Sequence, residues 1–144
     1  MAEPRESIAR SLRRETVAWL SSVRPDGAPH VVPIWFVWDG ESILVFSKPD
    51  AQKVRNLRAD PRAMVAVGRP GADFDVELVE VTAEIVPESS PGLLPDGFVG
   101  KYASLARRAG IAMDRFAATY SQPIRLHPTR WLGWGGPGWA VADP

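Results

Sequence analysis

A chain of 144 residues holds one domain with room for an arm, and it can bury a real core. Seventeen basic and seventeen acidic side chains cancel, so nothing overall points to nucleic acid, and no apolar run approaches the roughly 20 residues of a membrane span. With no cysteine there are no disulfides, thiolate metal sites or cysteine nucleophiles, and two histidines, His30 and His127, are too few for a histidine-rich metal cage.

Met1 to Glu15 is charged and lacks the apolar core of a signal peptide, so a soluble cytoplasmic protein is expected. Residues 5–14 read as a short amphipathic helix, with Ile8 and Leu12 four apart. This makes 1–15 a helical arm and 16–144 a single domain. Thr16 to Val23 reads as a strand, and Pro25-Asp26-Gly27 as a hairpin turn, because Asp-Gly accepts the positive φ that tight turns need. His30 to Trp38 is the second strand, Asp39-Gly40 repeats the turn signal, and Ser42 to Ser47 is the third strand. Pro49 to Ala59 reads as a helix stopped by Asp60-Pro61. Strands follow over Ala63–Gly68 and Phe74–Val86. Ser89-Ser90-Pro91 opens a helical region of about 20 residues, interrupted by Pro95 and Gly97. A short helix over Ala112–Tyr120 and a last strand over Pro123–Trp134 complete the elements, and Gly135-Gly136-Pro137-Gly138 reads as a loop. Antiparallel strands joined by tight turns point to a closed or nearly closed barrel. A small barrel is packed inside, so a large ligand must lie on its outer surface or at a subunit boundary.

Charge and aromatic residues are unevenly placed. From Lys48 to Arg62 there are five basic residues against Asp50 and Asp60. Six acidic residues and no basic one lie from Asp73 to Glu88, which reads as a solvated face. The basic stretch reads as strand, helix, strand. A hydroxyl (Ser47) ends the strand, a proline sits near the helix start, and Lys53 lies about one turn in. A helix N-terminus offers unpaired N–H groups and partial positive charge, and Lys and Arg beside it make a place for a phosphate. Lys53 and Asn56, three apart, would share a helix face. Arg55 could reach an anionic tail or face water. Pro33 lacks an N–H, so it implies an edge, a bulge or a ligand in place of a strand partner. Trp35 and Trp38 face opposite sides of their strand, one toward the core and one toward a groove or a second subunit.

Three segments carry a family resemblance: Ala18–His30, Val32-Pro33-Ile34-Trp35-Phe36, and Lys53–Arg62. In these the chain resembles the pyridoxamine-phosphate-oxidase-like split β-barrels, within them the actinobacterial deazaflavin (coenzyme F420)-dependent oxidoreductases. The resemblance implies a mainly β fold with flanking helices, an FMN-binding-type split β-barrel. It also implies a homodimer with two cofactor sites at the subunit interface. The cofactor phosphate would sit by Ser47, Lys53 and Asn56. The ring would lie along Val32, Pro33, Ile34 and Trp35, and Arg55 could reach the cofactor's anionic tail or face water. Coenzyme F420 is the expected cofactor, with FMN as the alternative. The further basic and aromatic residues that the flavin oxidase proper carries in its second half are not matched by a motif here, which argues against true pyridoxamine-phosphate oxidase activity.

Second-half candidates for cofactor contact are Tyr102, Tyr120, Arg125, His127 and Trp131. The two tyrosines could donate a proton, cover a ring or simply pack. Arg125 and His127 share a strand face, and His30 reads as a surface residue. No nucleophile–base pair stands out, which fits hydride chemistry carried by a cofactor. The expected function is hydride transfer from reduced deazaflavin to a small unsaturated substrate. Its alternatives are an FMN enzyme of the same fold and a non-catalytic carrier of flavin, deazaflavin or haem.

Overall fold

The computed structural model describes residues 6–69 and 75–134. Helix α1 (Glu6–Arg14) comes first, and seven strands follow: β1 (Ala18–Val23), β2 (Pro29–Ile34), β3 (Phe36–Trp38), β4 (Ile43–Ser47), β5 (Arg62–Arg69), β6 (Asp75–Ile85) and β7 (Gln122–Trp134). They form one antiparallel sheet in the order β2-β1-β5-β6-β7-β4-β3. β2 and β3 are therefore its opposite edges, yet only Trp35 separates them in the chain. Successive Cα atoms are about 3.8 Å apart. The sheet has to curl until its edges meet, which is the expected split barrel with flanking helices. The single strand read over His30–Trp38 is broken at Trp35, where the chain passes from one edge to the other.

Turn chemistry sets the hairpins. Gly27 and Gly40 have φ of +89° and +96°, as the two Asp-Gly pairs require. The Asp39 carboxylate also accepts the N–H groups of Glu41 and Ser42 at 2.8 and 2.7 Å. In β6 and β7, Glu80 faces Arg130 and Val81 faces Pro128, leaving Thr129 as a bulge. Its hydroxyl donates to the Glu80 carbonyl at 3.1 Å. Pro128, which has no N–H to give a ladder, sits beside that irregularity.

Two cores result. Inside the barrel, alternate residues such as Leu20, Val65, Val79, Val81, Ile124 and Leu126 pack together. Helix α1 adds Ile8 and Leu12, and helix α2 (Gln52–Ala59) adds Val54 and Leu57. The second core lies outside the barrel. There Leu44 and Phe46 on the outer face of β4 meet Phe98 and Tyr102 of helix α3 (Asp96–Arg108) and Phe116 of helix α4 (Met113–Thr119). Both faces of β4 are covered, so all five of its residues are buried.

The helical region expected after Ser89 resolves into a 3₁₀ turn, Ser90–Gly92, and α3. Pro95 is the N-cap of α3, and Gly97 lies in its first turn, so neither interrupts the helix. The expected loop at Gly135–Gly138, the first residue of the expected arm helix and the expected strand start at Phe74 lie outside the described residues. Among the described residues no helix is long and apolar enough to cross a membrane.

Candidate functional site

The strand break is held by α3. The Phe36 N–H donates to the Tyr102 hydroxyl at 2.8 Å, and that hydroxyl lies 2.8 Å from the Thr16 carbonyl and 3.0 Å from the Phe36 carbonyl. Burial raises the Tyr102 pKa well above its ordinary value, so the phenol keeps its proton. Lys101 donates to the carbonyls of Leu12 and Phe36 at 3.1 and 3.2 Å and stands 3.8 Å from the Phe36 ring centroid. With the backbone pinned, Trp35 turns out of the barrel. It stacks on Tyr102 at 4.6 Å and on Phe116 at 5.7 Å. Trp38 turns inward and meets Trp131 edge-on at 5.7 Å. The opposite-face expectation is met, with Trp38 as the core residue.

Beside Trp35 lies a cleft of about 200 Å³. It gathers Pro33, Ile34, Trp35 and Lys53 from the residues singled out in sequence. Phe46, Ile111, Phe116 and Tyr120 complete its wall. Pro33 lies on β2, an edge strand, where a residue without an N–H is tolerated.

Lys53 is the feature that fold stability does not explain. It is half-buried, and among the described residues no hydrogen bond or ion pair engages its ammonium. Burial lowers its pKa, and the neighbouring Lys48 lowers it further. Helix α2 starts at Gln52, three residues later than Pro49, because Lys48–Ala51 forms a turn with Ala51 N–H bonded to Lys48 C=O at 3.2 Å. Lys53 is thus in the first helical turn, not a turn further in. Among the described residues no side chain caps that end. A cation there opposes the helix dipole. Three separate effects, desolvation, a like charge and the dipole, all disfavour the charged lysine. An anion in the cleft would answer all three.

The other sequence candidates lie elsewhere. Val32 packs against the barrel core. Ser47 and Asn56 are both 0% exposed. The Ser47 hydroxyl donates to the Lys48 carbonyl at 2.9 Å. The Asn56 amide donates to Ser22 Oγ at 3.0 Å, and its carbonyl accepts from Gln52 at 2.7 Å. Asn56 thus enters the barrel end while Lys53 lines the cleft; the face they were read to share is divided by the barrel rim. Arg55 is exposed and bonded to the Asp50 carbonyl and, at 2.6 Å, to Gln52. Arg125 pairs with Asp39 at 2.8 Å, and His127 meets Glu84 at 2.9 Å. Phe46 and Phe116 escaped the sequence reading. The signal was the spacing of Phe116 and Tyr120, one helical turn apart; they stack at 4.7 Å.

A larger cavity, about 670 Å³, lies over the outer face of β1, β5 and β6 and includes Asp60, Arg62, Met64 and Glu80. Asp60 and Arg62 satisfy each other at 2.8 Å, and the Arg62 guanidinium brings the Asp60 pKa to about 2. Its size exceeds that of the cleft, but its aspartate and arginine are already paired with each other. Nearby on the same face, Trp19 and Val31 are 50% and 57% exposed, and Pro33 stands opposite Trp19. Among the described residues no group of three histidines or carboxylates is placed to hold a metal.

The family described as pyridoxamine 5'-phosphate oxidase matches residues 4–134. Among solved structures, an F420 reductase is similar at 28% identity, with a TM-score of 0.67, over 90% of this chain and 98% of that one. A conserved hypothetical protein of Mycobacterium tuberculosis is similar at 23% identity, TM-score 0.72, over 100% of this chain and 92% of that one. The haem storage protein HutZ of Vibrio cholerae is similar at 20% identity, TM-score 0.64, over 89% and 93% of the two chains. No curated protein matches the sequence.

Proposed function

The chain belongs to the pyridoxamine 5'-phosphate oxidase family, and from that premise we propose that it is an F420-dependent oxidoreductase. When bound, the reduced deazaflavin supplies a hydride, which passes to a small unsaturated substrate. The observation that carries this reading is Lys53: a half-buried ammonium with no counter-ion among the described residues, in a cleft walled by a proline and stacked aromatic rings. A flat ring with an anionic handle fits both features. Trp35 offers the flat face and is fixed in place by Tyr102 and Phe116. Lys53 and the uncapped first turn of α2 offer the positive end. The likeness to an F420 reductase supports the deazaflavin over FMN.

A second copy of the chain completes the site in this proposal. The cleft, about 200 Å³, is smaller than the ~300–1,000 Å³ of typical small-molecule sites. One protomer therefore encloses part of a cofactor, and Trp19, Val31 and Pro33 present an apolar strip beside it for a partner to cover. A haem carrier would want a ligand for iron. Neither His30 nor His127 lines the cleft, and His127 is engaged by Glu84.

The test is to titrate the purified protein with F420, FMN and haem and to follow Trp fluorescence. F420 should bind most tightly, and the loaded protein should reduce enones with reduced F420 consumed. Tight haem or FMN binding with no F420 binding would overturn the assignment.

A further inference from the structure

The cleft continues beyond Tyr120. A second cavity, about 270 Å³, runs along α4 and shares Ile111, Phe116 and Tyr120 with the first. The two make one trough. Ile111 overhangs it because of how α3 ends. Gly110 takes φ +73°, its N–H bonds the Arg107 carbonyl at 3.1 Å, and the Ile111 N–H bonds the Ala106 carbonyl at 2.8 Å. This paired closure turns the chain sharply and presents Ile111 at the mouth.

The charged residues lining the trough are both cations. Lys53 lines only the first cavity and Arg115 only the second; among the described residues no carboxylate lines either. Arg115 is exposed, and no hydrogen bond or ion pair engages it among the described residues. Arg62, Arg69 and Arg125, by contrast, are each paired with a carboxylate at 2.8 Å. Thr119, one helical turn from Arg115, adds a hydroxyl to the same wall. Between the two cations lie the rings of Phe116 and Tyr120.

Resting on the reading of the cleft as a deazaflavin site, we propose that Arg115 receives the carboxylate of the second ligand, so that the hydride acceptor is a planar conjugated carboxylic acid. Two anionic ligands then share one trough with their charges at separate cations. The guanidinium fork matches a carboxylate, whereas a lysine offers a point charge. The aromatic wall suits a conjugated body. In turnover the substrate C=C would gain the hydride on one carbon and a proton from water on the other, giving the saturated acid and oxidised cofactor.

Trans-cinnamate and the neutral cinnamamide serve as probes, measured by isothermal titration on the protein with and without F420. The acid should bind about tenfold more tightly than the amide, as one charge-assisted contact predicts. Arg115→Ala should remove the preference and leave amide and F420 affinities unchanged; Arg115→Lys should keep part of it. Equal affinity for acid and amide, or a preference that survives Arg115→Ala, would overturn the proposal. Failure of F420 to bind would instead sink the cofactor reading, since the acid preference is read on the unloaded protein as well.

Discussion

The barrel interior and the aromatic annex outside it differ in kind. The interior is mostly aliphatic, built from Leu20, Val65, Val79, Ile124, Leu126 and their neighbours with Phe36, Trp38 and Trp131 among them, and plugged by α1 and α2. The annex is aromatic. Trp35, Phe46, Phe98, Tyr102, Phe116 and Tyr120 pack ring to ring from strand break to helix, and one side opens on the cleft. Polar groups at the barrel end, such as Asn56 and Ser22, are bonded to each other. Cations at the annex, Lys53 and Arg115, have no protein partner among the described residues. The barrel core is held mainly by aliphatic packing, whereas the annex leaves two cations without a partner among the described residues.

Several changes break or sharpen that division. The largest effect is expected in the interior. Leu20→Ala removes a side chain that is 0% exposed and should cost about 2–5 kcal/mol of unfolding free energy by chemical denaturation. The folded fraction should still bind ligand with unchanged affinity. If affinity falls in proportion, the two regions are not separable.

Tyr102→Phe probes the joint between them. It strips the acceptor from the buried Phe36 N–H, so about 1–3 kcal/mol of stability should be lost. Because Tyr102 also backs Trp35, ligand affinity should fall too, whereas Leu20→Ala leaves it alone. A Tyr102→Phe protein as stable as the wild type would contradict the account of the strand break.

A smaller effect is expected from pH. Burial lowers the Lys101 pKa from 10.5 to about 8 in the folded protein. The folded-state value lies below the unfolded one, so the penalty on the charged form is fully present below pH 8. It fades as pH rises from about 8 to about 10.5, and stability should rise over that window relative to Lys101→Met. Parallel stability profiles for the two proteins would show that the ammonium is not desolvated.

Much of the fold was legible because it rests on local rules. The two Asp-Gly turns, the alternation of β1 and the stop at Asp60-Pro61 follow from φ preference, pleat and proline sterics. The break at Trp35 was not legible. It comes from closing the sheet and from a phenol on α3, 66 residues away in sequence. The cleft was legible in part. Pro33 and Lys53 violate local preferences, and such violations mark sites. Ser47 and Asn56 are polar residues of the right type near the right helix, yet their side chains bond protein groups around the barrel rim. Phe46 and Ile111 reach the cleft only through tertiary packing, so spacing could not place them, whereas Phe116 was marked by its one-turn spacing from Tyr120.

The most direct test of the central claim compares Lys53→Ala with Arg58→Ala, which removes an exposed cation from the same helix. For Lys53→Ala the F420 dissociation constant should rise by the equivalent of about 1–3 kcal/mol, with no loss of thermal stability, while Arg58→Ala changes it little. An F420 affinity unchanged by Lys53→Ala, or weakened equally by both substitutions, would contradict a specific anion seat at the cleft.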